Sequence, residues 1–193
     1  SGARARYMFA DGKGEHGEIP PNNWEAVFGG PAWQRVKERD GRLGQWYLHL
    51  FAVEQPDFNW ENEEVRQYFH RVFEFWLDLG CDGFRIDVAH GMVKAKGLPD
   101  VENAGNELLD RHYRPYWDQP GVHEIHRDWR KLADKYAHQP MLVSESWAPN
   151  DEALARYVRP DELHNSFNFS FLTSLWSAED LRKNITGSMK EIV

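Results

Sequence analysis

The sequence contains a single cysteine, Cys81, among 193 residues. One thiol excludes an internal disulfide and a thiolate metal cluster. Its surroundings, Leu79-Gly80-Cys81-Asp82-Gly83-Phe84, suit a buried small hydrophobe better than a reactive group. No apolar run approaches the ~18 residues of a membrane span. Basic residues are in the minority, 23 Lys and Arg against 31 Asp and Glu, for a formal net charge of −8 with the two signs mixed throughout. A clustered basic face is therefore missing, which argues against nucleic acid as a partner. No Gly-rich nucleotide turn follows any strand-like run, so dinucleotide binding loses its main support. No secretory leader is visible at Ser1, and a cytoplasmic location is the expectation.

Apolar residues make up 41% of the chain, enough for a sizeable core and too many for wholesale disorder. Aromatic residues reach 14%, with nine Trp; most serve packing, and such planes also stack on sugar rings. Residues 1–44 hold eight of the fifteen glycines together with Pro20-Pro21-Asn22-Asn23 and Gly29-Gly30-Pro31, punctuation that favours turns and short strands. Trp46 to Phe51 is rich in strand formers. A helix is expected after Asn62, a cap followed by Glu63 and Glu64, with Val65, Tyr68, Phe69, Val72, Phe73 and Trp76 on one stripe and Gly80 as its stop. Gly83–Ala89 reads as a short strand ending near a carboxylate. After a turn-rich insert, roughly 91–121, a second helix turns Val122, Ile125, Trp129, Leu132, Ala133 and Tyr136 inward. Pro140–Glu145 repeats the pattern of a strand delivering a carboxylate. A helix from Asp151, a strand near 163–169 and a helix from Ser177 follow.

Strands alternating with helices, without hairpin signals between the later strands, predict a parallel sheet with crossover helices. Carboxylates at the ends of successive strands favour a (β/α)8 barrel over an open sheet, because a barrel gathers such residues at its C-terminal face. Asp87 and Glu145 lie 58 positions apart, one βα unit plus the insert. Neighbouring parallel strands are ~4.8 Å apart. Two carboxylates on their ends can therefore approach ~5–5.5 Å, the separation that retaining glycoside hydrolysis uses. Arg85, two residues before Asp87, projects to the same side and can hold it ionised and oriented. Spacing alone also fits an ordinary structural Arg–Asp pair.

Several runs together carry a resemblance. Gly83-Phe84-Arg85-Ile86-Asp87-Val88-Ala89 resembles the nucleophile-bearing strand of the α-amylase superfamily, glycoside hydrolase family 13, and Leu142-Val143-Ser144-Glu145-Ser146-Trp147 resembles the strand carrying its acid/base. Gln55-Pro56-Asp57-Phe58-Asn59-Trp60 is similar to the marker closing the inserted domain B in the oligo-1,6-glucosidase and α-glucosidase branch, with Phe58 where Leu is usual. Pro21–Trp24 and Phe28–Trp33 look like domain B of that branch, and Glu162–Phe169 like its sixth barrel strand.

The resemblance implies an irregular domain B over residues 1–57 and a barrel segment over 58–193, about strands four to six of a partial (β/α)8 TIM barrel. It makes Asp87 the nucleophile, Glu145 the general acid/base and Arg85 the partner that orients Asp87. It places Val88 and His90 on the substrate side. Val88 matches branch members that cleave α-1,6 links, although Val-Ala-His also resembles bacterial enzymes acting on α-1,4 maltosides. α-Amylases carry a Lys-His pair where this chain has His90 and Gly91, which disfavours a polymer-cleaving amylase. The family's upstream Asp-x-x-x-Asn-His strand and its downstream Asn-His-Asp motif are both missing from these residues, so the 193 residues alone are expected to be inactive. The implied substrate is an α-gluco-oligosaccharide or disaccharide, with no cofactor and no metal. A relative that transfers the glucosyl group to another sugar, and a non-catalytic interaction protein on the same barrel, such as the heavy subunits of amino-acid transporters, are the alternatives.

Other signals rank lower. His123-Glu124-Ile125-His126 lacks the four-residue ligand spacing of the zinc-protease helix and reads as a solvated face. Glu61, Glu63 and Glu64 suit a helix N-terminus. Asp110, His112 and Asp118 fall in a loop that could rim a pocket. Asp57, through the resemblance, is a tether between domain B and the barrel.

Overall fold

The computed structural model describes residues 2–102 and 113–192. It is an α/β structure with two three-stranded sheets. The first is antiparallel, in the order β1 (Phe9–Ala10), β3 (Leu43–Leu48), β2 (Trp33–Lys37). The strand-rich run at 46–51 thus begins earlier and ends at Leu48, where Leu50 and Asp57 take over its pairing. A core of Trp24, Trp33, Leu48, Leu50, Tyr116 and Trp117 lies against this sheet.

The second sheet is parallel, in the order β4 (Gly83–Ile86), β5 (Met141–Ser144), β6 (Asn165–Ser166). The strand expected near 163–169 is only two residues long. Gly83 is required where β4 meets β5, because a Cβ there would lie 2.0 Å from the Met141 carbonyl oxygen. Helix α1 (Glu63–Asp78) precedes β4, α2 (Gly121–Ala133) connects β4 to β5 and α3 (Asp151–Arg156) connects β5 to β6, followed by α4 (Phe169–Leu172) and α5 (Ala178–Ile192). The Asn62 side chain accepts the Glu64 amide at 2.9 Å, a cap that contributes about 1 kcal/mol.

The apolar stripe on α1 differs from the one read in the sequence. Its buried line runs Val65, Phe69, Phe73 and Leu77, four residues apart, while Tyr68 and Trp76 are 52% and 49% exposed. Phe73 fixes that line, stacking on Trp129 of α2 at 4.9 Å and meeting Phe84 of β4 at 4.4 Å. Cys81 is half-buried and directs its thiol to the Gly83 carbonyl at 3.1 Å.

The Pro21–Trp24 motif clips the 98–101 segment onto the first sheet. Asn22 donates to the Leu98 carbonyl and accepts the Trp24 amide and the Trp33 indole N–H. Asn23 and Val101 exchange hydrogen bonds in both directions at 2.8 Å. Among the described residues no helix is long and apolar enough to cross a membrane.

Candidate active site

The register of the parallel sheet builds the site. Arg85 faces Val143 and Ile86 faces Ser144, so one further step brings Asp87 and Glu145 abreast beyond the strand ends. The ladder continues there: the Glu145 amide donates to the Ile86 carbonyl at 2.9 Å, and the Ala89 amide donates to the Glu145 carbonyl at 3.0 Å. One guanidinium nitrogen of Arg85 touches both carboxylates, Asp87 Oδ1 at 2.7 Å and Glu145 Oε2. Two contacts of hydrogen-bond length bound the separation of those oxygens at roughly 6 Å. The Arg85 guanidinium also lies 5.7 Å from the centre of the Phe167 ring.

The two carboxylates sit in different surroundings. The Asp87 side chain is 68% exposed and that of Glu145 16%. Burial, reinforced by a hydrogen bond to Asp87 and by its charge, pushes the Glu145 carboxyl above the usual range, against smaller opposing effects of Arg85 and the Val88 amide. A carboxyl that gives up its proton less readily than usual therefore stands beside a more open one. Arg85, Asp87 and Val88 line a cleft of about 380 Å³ with Phe58, Trp60 and Trp117.

The turn after Asp87 is tightly held. Val88 has φ +46°, a genuine outlier for a β-branched residue that costs about 1–3 kcal/mol. Its carbonyl accepts the Gly91 amide at 2.8 Å. Gly91 has no room for a side chain, since a Cβ would come within 2.5 Å of the Trp117 ring. The Gly91 carbonyl accepts from Lys94 Nζ, which also pairs with Asp57 Oδ1 at 2.8 Å while almost wholly buried. Asp57 Oδ2 accepts the Leu50 amide at 2.8 Å, so the tether read for Asp57 is a concrete link between the first sheet and this turn. Sequence reasoning missed Lys94, because its partner Asp57 lies far back in the chain.

His90 does not face the cleft. It is fully buried against Trp117, at 4.8 Å between ring centres, and burial drives its imidazole down to about 3. Its carbonyl accepts the Asp118 amide at 2.8 Å. Asp118 is itself held by Arg156 at 3.0 Å and by the Tyr157 hydroxyl at 2.5 Å. Asp110 and His112 lie outside the described residues.

His123 and His126 correct the solvated-face reading: both are buried. The helix packs on two sides, because the rings meet Tyr157, at 5.1 and 5.6 Å, as well as the core. With Glu162 they bring three potential ligand atoms within 4.8 Å of one another. The carboxylate is already matched. His123 Nδ1 lies 2.7 Å from Glu162 Oε2, and Arg127 and Arg159 face Oε1 at 3.4 and 3.5 Å. Two guanidiniums on one carboxylate leave an environment that repels a cation, so the cluster does not fit a metal.

The chain is 37% identical over 186 residues to the oligo-1,6-glucosidase of Parageobacillus thermoglucosidasius, a match covering 89% of this chain and 32% of that protein. It is 39% identical over 158 residues to the trehalose-6-phosphate hydrolase of Bacillus subtilis strain 168, covering 81% and 26%. The crystal structure of the α-glucosyl transfer enzyme XgtA superposes with a TM-score of 0.81 at 32% identity, covering 98% of this chain and 36% of that one. The chain thus spans about a third, or less, of the length of the curated relatives it matches. The family described as alpha amylase, catalytic domain, matches residues 2–191, and the chain belongs to it.

Proposed function

We propose that these residues carry the nucleophile and acid/base of a retaining α-glucosidase acting on short α-glucosides. The observation that carries the reading is the single Arg85 nitrogen shared by Asp87 and Glu145. The bound of roughly 6 Å that it sets fits the retaining separation of ~5–5.5 Å and falls below the ~6.5–9.5 Å that leaves room for an inverting water. In the first step an Asp87 oxygen bonds to the anomeric carbon as the glycosidic C–O bond breaks, and Glu145 gives its proton to the departing oxygen. In the second, water attacks the same carbon from the vacated side. Glu145, now ionised, takes the proton from that water, and the Asp87–carbon bond breaks. The raised Glu145 carboxyl suits the acid half of this cycle. Arg85 holds Asp87 in place through their 2.7 Å contact.

In this reading β4 to β6 form an arc of a (β/α)8 barrel at 58–193, residues 1–57 form most of domain B, and a third carboxylate acts from outside this chain. A second reading is favoured by the likeness to XgtA: the same glucosyl intermediate is intercepted by a sugar hydroxyl in place of water.

The test uses the complete polypeptide that carries these residues. A fluorinated α-glucosyl inhibitor should trap the intermediate on Asp87, and peptide mass spectrometry reads the site. Labelling of another carboxylate would overturn the assignment, and product analysis with maltose or isomaltose as acceptor separates hydrolysis from transfer.

A further inference from the structure

The polar groups of the turn behind Asp87 converge on one buried cation. The Val88 carbonyl is held by the Gly91 amide, the Gly91 carbonyl by Lys94 Nζ, and Lys94 by Asp57. Asp57 in turn is tied through its other polar groups to β3 and the residues flanking the first sheet. Its carboxylate takes the Leu50 amide, its amide donates to Leu48, and its carbonyl accepts from Met8. Val88, at φ +46°, is the strained link between this chain of contacts and the proposed nucleophile. A β-branched residue stays in that region only while its surroundings hold it there. Release of the Gly91 carbonyl would let Val88 return to ordinary φ and rotate the backbone that carries Asp87.

We infer that Lys94 is a positioning residue, fixing the strained Asp87–Val88 backbone from the first sheet and thereby aiming the nucleophile at the anomeric carbon. It touches no reacting atom. This rests on the reading of Asp87 as nucleophile. The ion pair with Asp57 gives Lys94 its rigidity, and the Gly91 carbonyl is the point where that rigidity reaches the site.

The experiment is a double-mutant cycle in the complete polypeptide, with active sites counted by fluoroglucosyl titration. Lys94→Met keeps the stem and removes the ammonium. It should lower kcat on an aryl α-glucoside by ~10-fold or more, with KM moved less than ~3-fold, because misaim slows attack more than it weakens binding. Glycine accepts positive φ without strain, so in a Val88→Gly background the same substitution should cost under ~3-fold. A role confined to stability gives no such split. Because Lys94→Met leaves Asp57 unpaired, Lys94→Gln with Asp57→Asn is made alongside it; a folded pair variant with lowered kcat supports the inference. Unchanged kcat per titrated site, an equal loss in both Val88 backgrounds, or failure of both Lys94 variants to fold would each overturn it. Absence of Asp87 labelling in the unmodified enzyme would instead remove the functional reading beneath it.

Discussion

Glu145 and Glu162 are built from the same ingredients: a carboxylate beside a parallel strand, an arginine contact and a titratable neighbour. Their settings are opposite. Glu145 follows the last residue of β5 and stands beside Asp87, with one arginine nitrogen shared between two acids. Glu162 precedes β6, is 0% exposed, and meets His123, Arg159 and Arg127, the last also paired with Asp161. In the first arrangement burial, helped by the neighbouring acid, raises the Glu145 carboxyl. The second matches acids with arginines and ties α2 to the segment leading into β6. Residues at the C-terminal ends of barrel strands do chemistry and those at the N-terminal ends hold the fold. On the proposed barrel reading, Glu145 lies on the first side of that division and Glu162 on the second.

The sharpest way to break the comparison is to remove each proton-bearing group in turn. Glu145→Gln should cost ~10²–10⁴ in kcat on maltose or isomaltose and far less on an aryl glucoside with an acidic phenol, because a good leaving group needs no proton. Equal losses on both substrates would deny Glu145 the role of donor. Unfolding curves should stay nearly superimposable, since the change is isosteric.

Glu162→Ala should do the reverse. Removing the buried acid strands His123 and two guanidiniums, and losses of about 3–5 kcal/mol are usual when one partner of a buried pair goes. Denaturant midpoints should fall, while kcat per titrated active site stays within ~2-fold of the parent. A large kcat loss in folded protein would tie the cluster to the chemistry and dissolve the contrast.

Much of this was legible in the residues. Gly83–Ala89 and Leu142–Trp147 announced strands ending in carboxylates, and the register of β4 on β5 places those ends side by side. The two-residue spacing of Arg85 and Asp87 likewise predicted their pairing. What could not be read depended on partners far along the chain. His123 and His126 look solvated until Glu162, Tyr157 and Arg159 are folded over them. Lys94 looks like a surface lysine until Asp57 meets it. His90, three residues after Asp87, looked like a ligand contact; a left-handed Val88 turns the backbone so that the ring packs under Trp117.

A smaller effect concerns pH and activity. Glu145 must be protonated to act as an acid, and its carboxyl is raised by burial and by Asp87. The alkaline limb of kcat/KM should therefore lie above that of an ordinary glutamate and should vanish in Glu145→Gln assayed on an activated aryl glucoside. A limb at or below the ordinary position would mean that the Arg85 contact outweighs burial.

The smallest effect concerns acid stability and His126. This ring is fully buried between Trp129 and Tyr157, facing His123 and the Glu162–Arg127 pair, and burial drives it down to about 3 from 6.5. Between those limits the unfolded chain binds a proton that the native ring refuses. Stability from this group is complete above about pH 6.5 and is lost as pH falls toward about 3. At pH 5 the loss relative to pH 7 is on the order of 2 kcal/mol from the linkage relation. His90, similarly buried, adds a slope of the same sign. His126→Phe keeps the ring contacts and removes the proton site, so its denaturant midpoint should fall less than the parent's between pH 7 and pH 5. If the two fall in parallel, the native ring is accepting a proton, and Glu162 is then compensating a charged histidine in place of a neutral one.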